Sequence, residues 1–286
     1  LTNNAKGLAL TSSGIFIMSL ESLFIKYATV SPMVLSFYLG IFIFISMITT
    51  LLFKKKEYIK TAFKSSIGIL VLCAFIMGCS NIFFISAIKM ITVANVVIIF
   101  STSALFSSLI AYLFFREKIT KNILYASFFM FVGLFVIFSD KLEFGSIKGN
   151  IFALLCTISL SLSFVIMSRY KEINRLLLIA FAGLALSIIA FFLSDDLKID
   201  INNLLIIMFM GLVVSSFSRV LLGTGAKYIS AAEMSLLMLI ETIMAPIWVW
   251  IFLNEIPSIY TFIGGSIIIF TLIINSIYTI KRKQIA

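Results

Sequence analysis

Three ionisable side chains stand where their surroundings should reject them. Glu21, Arg219 and Glu241 each lie deep within a long apolar run. A charge at the centre of a hydrocarbon layer costs about 2.5–3.5 kcal/mol on insertion scales, so such a residue is normally held by a partner or a water-filled cavity and marks a solute or proton path. The chemistry open to this set is ion pairing, proton binding and recognition of a charged solute. Histidine is absent, which removes His-based metal sites and His general bases. Cys73, Cys79 and Cys156 sit inside apolar runs and read as small packing residues. No metal and no cofactor is expected. No His pair or Gly-x-Ser-x-Gly pattern occurs, so an intramembrane enzyme is not expected either.

Each candidate has a bland alternative. Arg219 faces a central cavity, snorkels to the interface, or pairs structurally with Glu233. Glu241 is too deep for its short side chain to reach water unaided; it binds a proton or a cationic group, or serves as a static partner for Arg219. Glu21 reaches a similar depth in the first run. Two carboxylates and one guanidinium make a site of mixed sign, better suited to a cationic or zwitterionic solute than to a free anion. Pro246 removes one helical hydrogen bond near Glu241 and is placed to kink that helix. Lys26 and Lys89, near run ends, are expected to snorkel, and Glu117 and Glu255 to make interfacial loop contacts.

The elements that must position these residues are membrane helices. The chain has 286 residues, 62% hydrophobic and 12% charged, with mean hydropathy +1.18. A soluble domain is nearer a quarter charged. Apolar runs recur from end to end, each long enough to cross a hydrocarbon core of about 30 Å as a helix, and they lack the alternation of barrel strands. Ten spans are predicted: 8–28, 33–53, 66–88, 92–114, 122–139, 151–168, 176–193, 204–226, 231–253 and 259–280. The polar stretch Asp140–Asn150 reads as a break at the midpoint. The first run is expected to be a retained helix and not a cleaved leader, because Glu21 interrupts it.

Loop charge tests this count. With both termini cytoplasmic, inner segments hold sixteen of the 22 Lys and Arg residues, including Lys54, Lys55, Lys56, Lys60 and Lys64, and outer segments hold five. That is a strong positive-inside bias, and an error of one span would scramble it. The net charge of +10 is therefore topological, and nucleic acid is not expected as a partner.

The chain also repeats itself at an offset of 138 positions. Lys89 matches Lys227, Ile91 matches Ile229, Thr92 matches Ser230 and Ala94 matches Ala232; without a gap, Phe114 then matches Phe252 and Glu117 matches Glu255. Each half thus holds five spans, residues 1–140 and 141–286. An odd number makes the second half enter from the opposite side, giving an inverted repeat, whose solute sites lie near the midplane between halves. The offset places Asn81 opposite Arg219 and Ser103 opposite Glu241. Glu21, Asn81, Ser103, Arg219 and Glu241 are the substrate-binding candidates.

Each half resembles an EamA domain of the drug/metabolite transporter superfamily. The resemblance rests on Ala87-Ile-Lys89 with Thr92-Val-Ala94, on Ala226-Lys227 with Ser230-Ala-Ala232, on Phe115-Arg-Glu117 and Leu253-Asn-Glu255, and on the Gly133 helix. The Trp-Gly pair frequent in that family is replaced by Ser19-Leu-Glu-Ser22 and Ser159-Leu-Ser-Leu162. The resemblance implies an all-α, ten-helix secondary active transporter of the cell inner membrane, working by alternating access. Its expected partners are the lipid bilayer, a small polar, zwitterionic or cationic metabolite, and protons as a coupling ion, with the carrier a monomer or homodimer. A channel-like or structural membrane protein is the alternative.

Overall fold

Spans start and stop where local chemistry directs them. The computed structural model describes residues 3–53, 67–116, 121–139, 144–170, 173–225, 228 and 237–285, and every regular element among them is a helix. The first span is α1 (Asn3–Met18) and α2 (Leu20–Tyr27), followed by α3 (Pro32–Leu52) and α4 (Ile67–Met90). The fourth span is α5 (Val93–Ser101) and α6 (Ser103–Phe115), and the first half closes with α7 (Lys121–Phe138). The second half holds α8 (Phe144–Arg169), α9 (Arg175–Leu193) and α10 (Ile201–Phe209), which runs through a π-helical turn, Met210–Ser215, into α11 (Ser216–Gly225). It ends with α12 (Leu239–Leu253) and α13 (Ile259–Ile285). The run of lysines from Lys54 to Lys64, Glu117, Glu233 and the second motif copy at Ala226-Lys227 and Ser230–Ala232 lie outside the described residues.

Capping explains several boundaries. Ser31 accepts from the Val34 amide at 3.3 Å with Pro32 at the first helical position, Asn174 caps α9 through the Leu177 amide at 3.1 Å, and Thr92 caps α5 through the Asn95 amide at 3.4 Å. Arg116 (φ 53°, ψ 31°) and Asn254 (φ 53°, ψ 27°) end α6 and α12 in the left-handed region. They are 138 positions apart, so the two repeats stop the same helix with the same turn.

Six described helices are long and apolar enough to cross a membrane; the α5/α6 pair, bent by 40°, makes a seventh if it is one broken span. The shorter apolar segments Leu124–Phe138, Leu239–Leu253 and Ile259–Asn275 fall at predicted spans five, nine and ten. The sixth span begins earlier than predicted: α8 starts at Phe144, so Phe144 to Asn150 of the polar stretch is helix, while residues 140–143 lie outside the described residues. Packing overrides composition there, because Asn150 is buried and Gly149 lies against Ile91 at the α4–α5 junction.

Two breaks share a cause. At Ser19 and Thr102 a hydroxyl donates to the carbonyl three residues back, Phe16 at 2.6 Å and Ile99 at 2.6 Å. Such local bonds compete with the helical ladder. The π turn is supported by the Ser216 hydroxyl, which donates to the Gly211 carbonyl five residues back at 2.7 Å; turns of this kind recur at functional sites.

The packing follows the repeat. α3 packs on α9, α7 on α13 and α5 on α12, each the equivalent span of the other half. Several further pairs come in matched sets: α1 on α11 with α4 on α8, and α1 and α2 on α12 with α5 and α6 on α8. Gly40 meets Gly183, and Gly133 meets Gly264, so closely that a Cβ at any of the four would collide with the opposite backbone. In lipid, where helix association gains from van der Waals contact, small residues permit this approach. Large apolar side chains such as Phe128, Phe135, Phe192 and Phe270 remain exposed, as a lipid-facing surface requires.

Candidate substrate cavity

A cavity of about 230 Å³ lies between the halves, lined from α1, α2, α4, α5, α8, α9, α11 and α12. That is below the roughly 300–1,000 Å³ of drug-sized ligand sites, so the space suits a small solute. Glu21, Asn81, Arg219 and Glu241 all line it. Eight lining residues form four pairs at the repeat offset: Met18 with Cys156, Asn81 with Arg219, Phe84 with Leu222, and Phe100 with Met238. The cavity is thus built from equivalent positions of both halves.

Glu21 projects from the first turn of α2, directly after the Ser19 break, whose hydroxyl also accepts from the Trp248 indole N–H at 2.9 Å. Arg219 projects from the first turn of α11, directly after the π turn. Its Nη1 donates to Glu21 Oε1 at 2.9 Å and to the Ser215 carbonyl at 3.1 Å. The two irregularities in these helices therefore present an acid and a base to each other. Arg219 neither snorkels nor takes Glu241 as its partner, because Glu21 satisfies it inside the protein.

Glu241 sits in the first turn of α12, 5% exposed. Its backbone N–H donates to the Met238 carbonyl at 3.1 Å, yet among the described residues its side chain makes no hydrogen bond or ion pair. α12 runs on through Pro246. Asn81 donates its amide to the Met77 carbonyl at 2.8 Å. Ser103 does not join the lining; it opens α6, where its carbonyl accepts from the Ser161 hydroxyl at 2.9 Å. An offset of 138 gives register along a span but not the direction a side chain takes after a bend such as that at Thr102. Sequence reasoning missed the apolar wall and Arg175, an exposed residue that lines the cavity from the first turn of α9. The repeat alone does not single out Phe84 with Leu222 or Phe100 with Met238, because neither member of either pair carries a charge.

Lys26 and Lys89 correct their expectation. Lys26 pairs with Glu255 at 2.9 Å and donates to the carbonyls of Ile88 (2.9 Å) and Ile91 (2.8 Å), while Lys89 donates to the Ala28 carbonyl. Glu255 also accepts from the Val93 amide at 2.6 Å, at the start of α5. Unpaired carbonyls and amides at helix ends attract these charges more effectively than the interface does. The result ties the ends of α2, α4, α5 and α12 into one cluster.

A search of curated proteins finds no match. A solved structure titled only "Crystal structure of protein" matches with a TM-score of 0.68 over 99% of both chains, at 13% identity, which speaks to the fold. The model of the EamA-like transporter family matches twice, over residues 5–139 and 147–277. With both repeats matched across most of its length, the chain belongs to the EamA-like transporter family.

Proposed function

We propose that the protein is a secondary active carrier that moves a small polar, zwitterionic or cationic metabolite across the cytoplasmic membrane by alternating access, with protons as the coupling ion. It has ten spans in two oppositely inserted units, residues 1–140 and 141–286, and both termini are cytoplasmic. The observation that carries this reading is Glu241: a buried carboxylate without a partner among the described residues, facing a cavity shared by both halves, beside an acid and a base that satisfy each other. Intramembrane carboxylates of this kind belong to solute paths and proton relays. Access to one side at a time is supported by the cavity reaching exposed Arg175, while the cluster of Lys26, Lys89 and Glu255 ties helix ends elsewhere. The loop charges put Arg175 on the cytoplasmic side.

Flux in proteoliposomes tests the reading. A carrier shows saturable uptake and counterflow, and Glu241→Gln abolishes net transport or uncouples it from a proton gradient while the protein still elutes as a folded species. Unsaturable flux without counterflow would mean a channel, and proton-coupled flux at the wild-type rate in Glu241→Gln would remove that residue from the mechanism.

A further inference from the structure

The polar groups of the cavity are nearly all committed to one another. Arg219 is neutralised by Glu21 and held by the Ser215 carbonyl. The Ser80 hydroxyl donates to the Cys156 carbonyl at 3.0 Å, and the Asn81 amide to the Met77 carbonyl. Glu21 and Arg219 cancel, which leaves the buried Glu241 carboxyl without a counter-ion among the described residues. Arg175 stands exposed at the rim, where water solvates it.

The rest of the wall is apolar and soft. Met77, Phe84, Phe100, Phe164 and Met238 line it, with the Phe84 and Phe100 rings 5.8 Å apart. Aromatic faces attract a desolvated cation, and thioethers adapt to an apolar body. A sugar would find too few uncommitted donors and acceptors to replace its water, and unmade buried hydrogen bonds are costly. A zwitterion would bring a carboxylate that must take Arg219 away from Glu21, leaving a buried acid unpaired. Resting on the carrier reading for its role in transport, we infer that the cavity selects a small monovalent organic amine with an apolar body, its ammonium at Glu241, and rejects the zwitterion and the anion of the same shape.

Three probes share a phenyl body and differ in charge: phenethylamine, phenylalanine and phenylpropionate. Calorimetric titration of the full chain in lipid nanodiscs should show phenethylamine binding, with the other two weaker by about thirtyfold or more. Glu241→Gln should lose amine affinity by a similar factor, and Lys198→Ala, in the exposed segment between α9 and α10, should keep it. Phenylalanine binding as tightly as the amine, unchanged amine affinity in Glu241→Gln, or no amine binding to the unaltered chain would each overturn the inference. The charge series is read on the unaltered protein, so it does not depend on the variant folding. Amine binding without counterflow in proteoliposomes would sink the carrier reading alone, whereas counterflow of phenylalanine but not the amine would sink the selectivity alone.

Discussion

Arg219 and Glu21 illustrate why a buried pair must be judged as a pair. Their side chains are 19% and 10% exposed, so water screens them little. Removing one partner strands the other, at a cost of about 3–5 kcal/mol, whereas removing both can be near neutral. Arg219→Ala should therefore lower the melting temperature in detergent more than the double substitution Arg219→Ala with Glu21→Gln. Equal destabilisation by the two would show that the 2.9 Å contact contributes nothing. At this scale the sequence was informative for a physical reason: charge in an apolar run is rare enough to be noticed, as with Glu21, Arg219 and Glu241. It could not say who pairs with whom, since Glu21 lies 198 positions from Arg219 while Glu241 is nearer in sequence. Phe84, Phe100 and Met238 were illegible by composition alone, because the chain has 30 Phe and 12 Met and most must face lipid or neighbouring helices.

Among the elements, α10 begins on a small polar knot. Asp200 accepts from the Asn203 amide at 3.1 Å and from its side-chain nitrogen at 2.5 Å, and Asn203 in turn holds Thr29, after α2, through two bonds of 2.9 Å. Hydrogen bonds from Asn203 hold the Asp200 carboxyl below the usual carboxylate range. The folded value is the depressed one, so the stabilisation is present above the unfolded pKa and is lost as pH falls through the folded one. Amide exchange at Asn203 should accelerate on acidification through that window, and Asp200→Asn should flatten the dependence; a pH-independent protection would refute the cap. Element boundaries were mostly legible because caps such as Ser31, Thr92 and Asn174 and apolar runs agree. The start of α8 was not, since the signal there is tertiary: Gly149 and Asn150 are small or polar by type, but Gly149 packs against Met90 and Ile91 at the end of α4 and Asn150 is buried. The breaks at Ser19 and Thr102 were likewise unreadable, because serine and threonine elsewhere in these helices bond backward without interrupting them, as Thr157 does.

For the whole molecule, the cluster around Lys26 and Glu255 joins helix ends from both halves, and the alternating-access cycle proposed above requires that end to open and the cluster to break. The pair is 24% and 17% exposed, so after allowing for water its bias is on the order of 1 kcal/mol. Glu255→Gln should then raise labelling of Phe84→Cys by an impermeant maleimide from the outside about fivefold, in a background lacking Cys73, Cys79 and Cys156. Unchanged labelling would show that the cluster does not hold that end shut. The duplication behind this arrangement was readable from Lys89 and Lys227 onward, because a constant offset survives where identity does not. The matched left-handed caps at Arg116 and Asn254 are its structural trace.

Of the four matched lining pairs one differs in charge, Asn81 with Arg219; outside those pairs, Ser103 stands at the register of Glu241 and Ser159 at that of Glu21. A faithful two-fold would render the inward and outward forms degenerate, since exchanging the halves would turn one into the other. Ionisable side chains without an ionisable counterpart, Glu21 in the first half and Arg219 and Glu241 in the second, lift that degeneracy. In the alternating-access cycle proposed above, the empty protein's resting preference thus has a local origin in these three mismatched positions, and making them alike should flatten it.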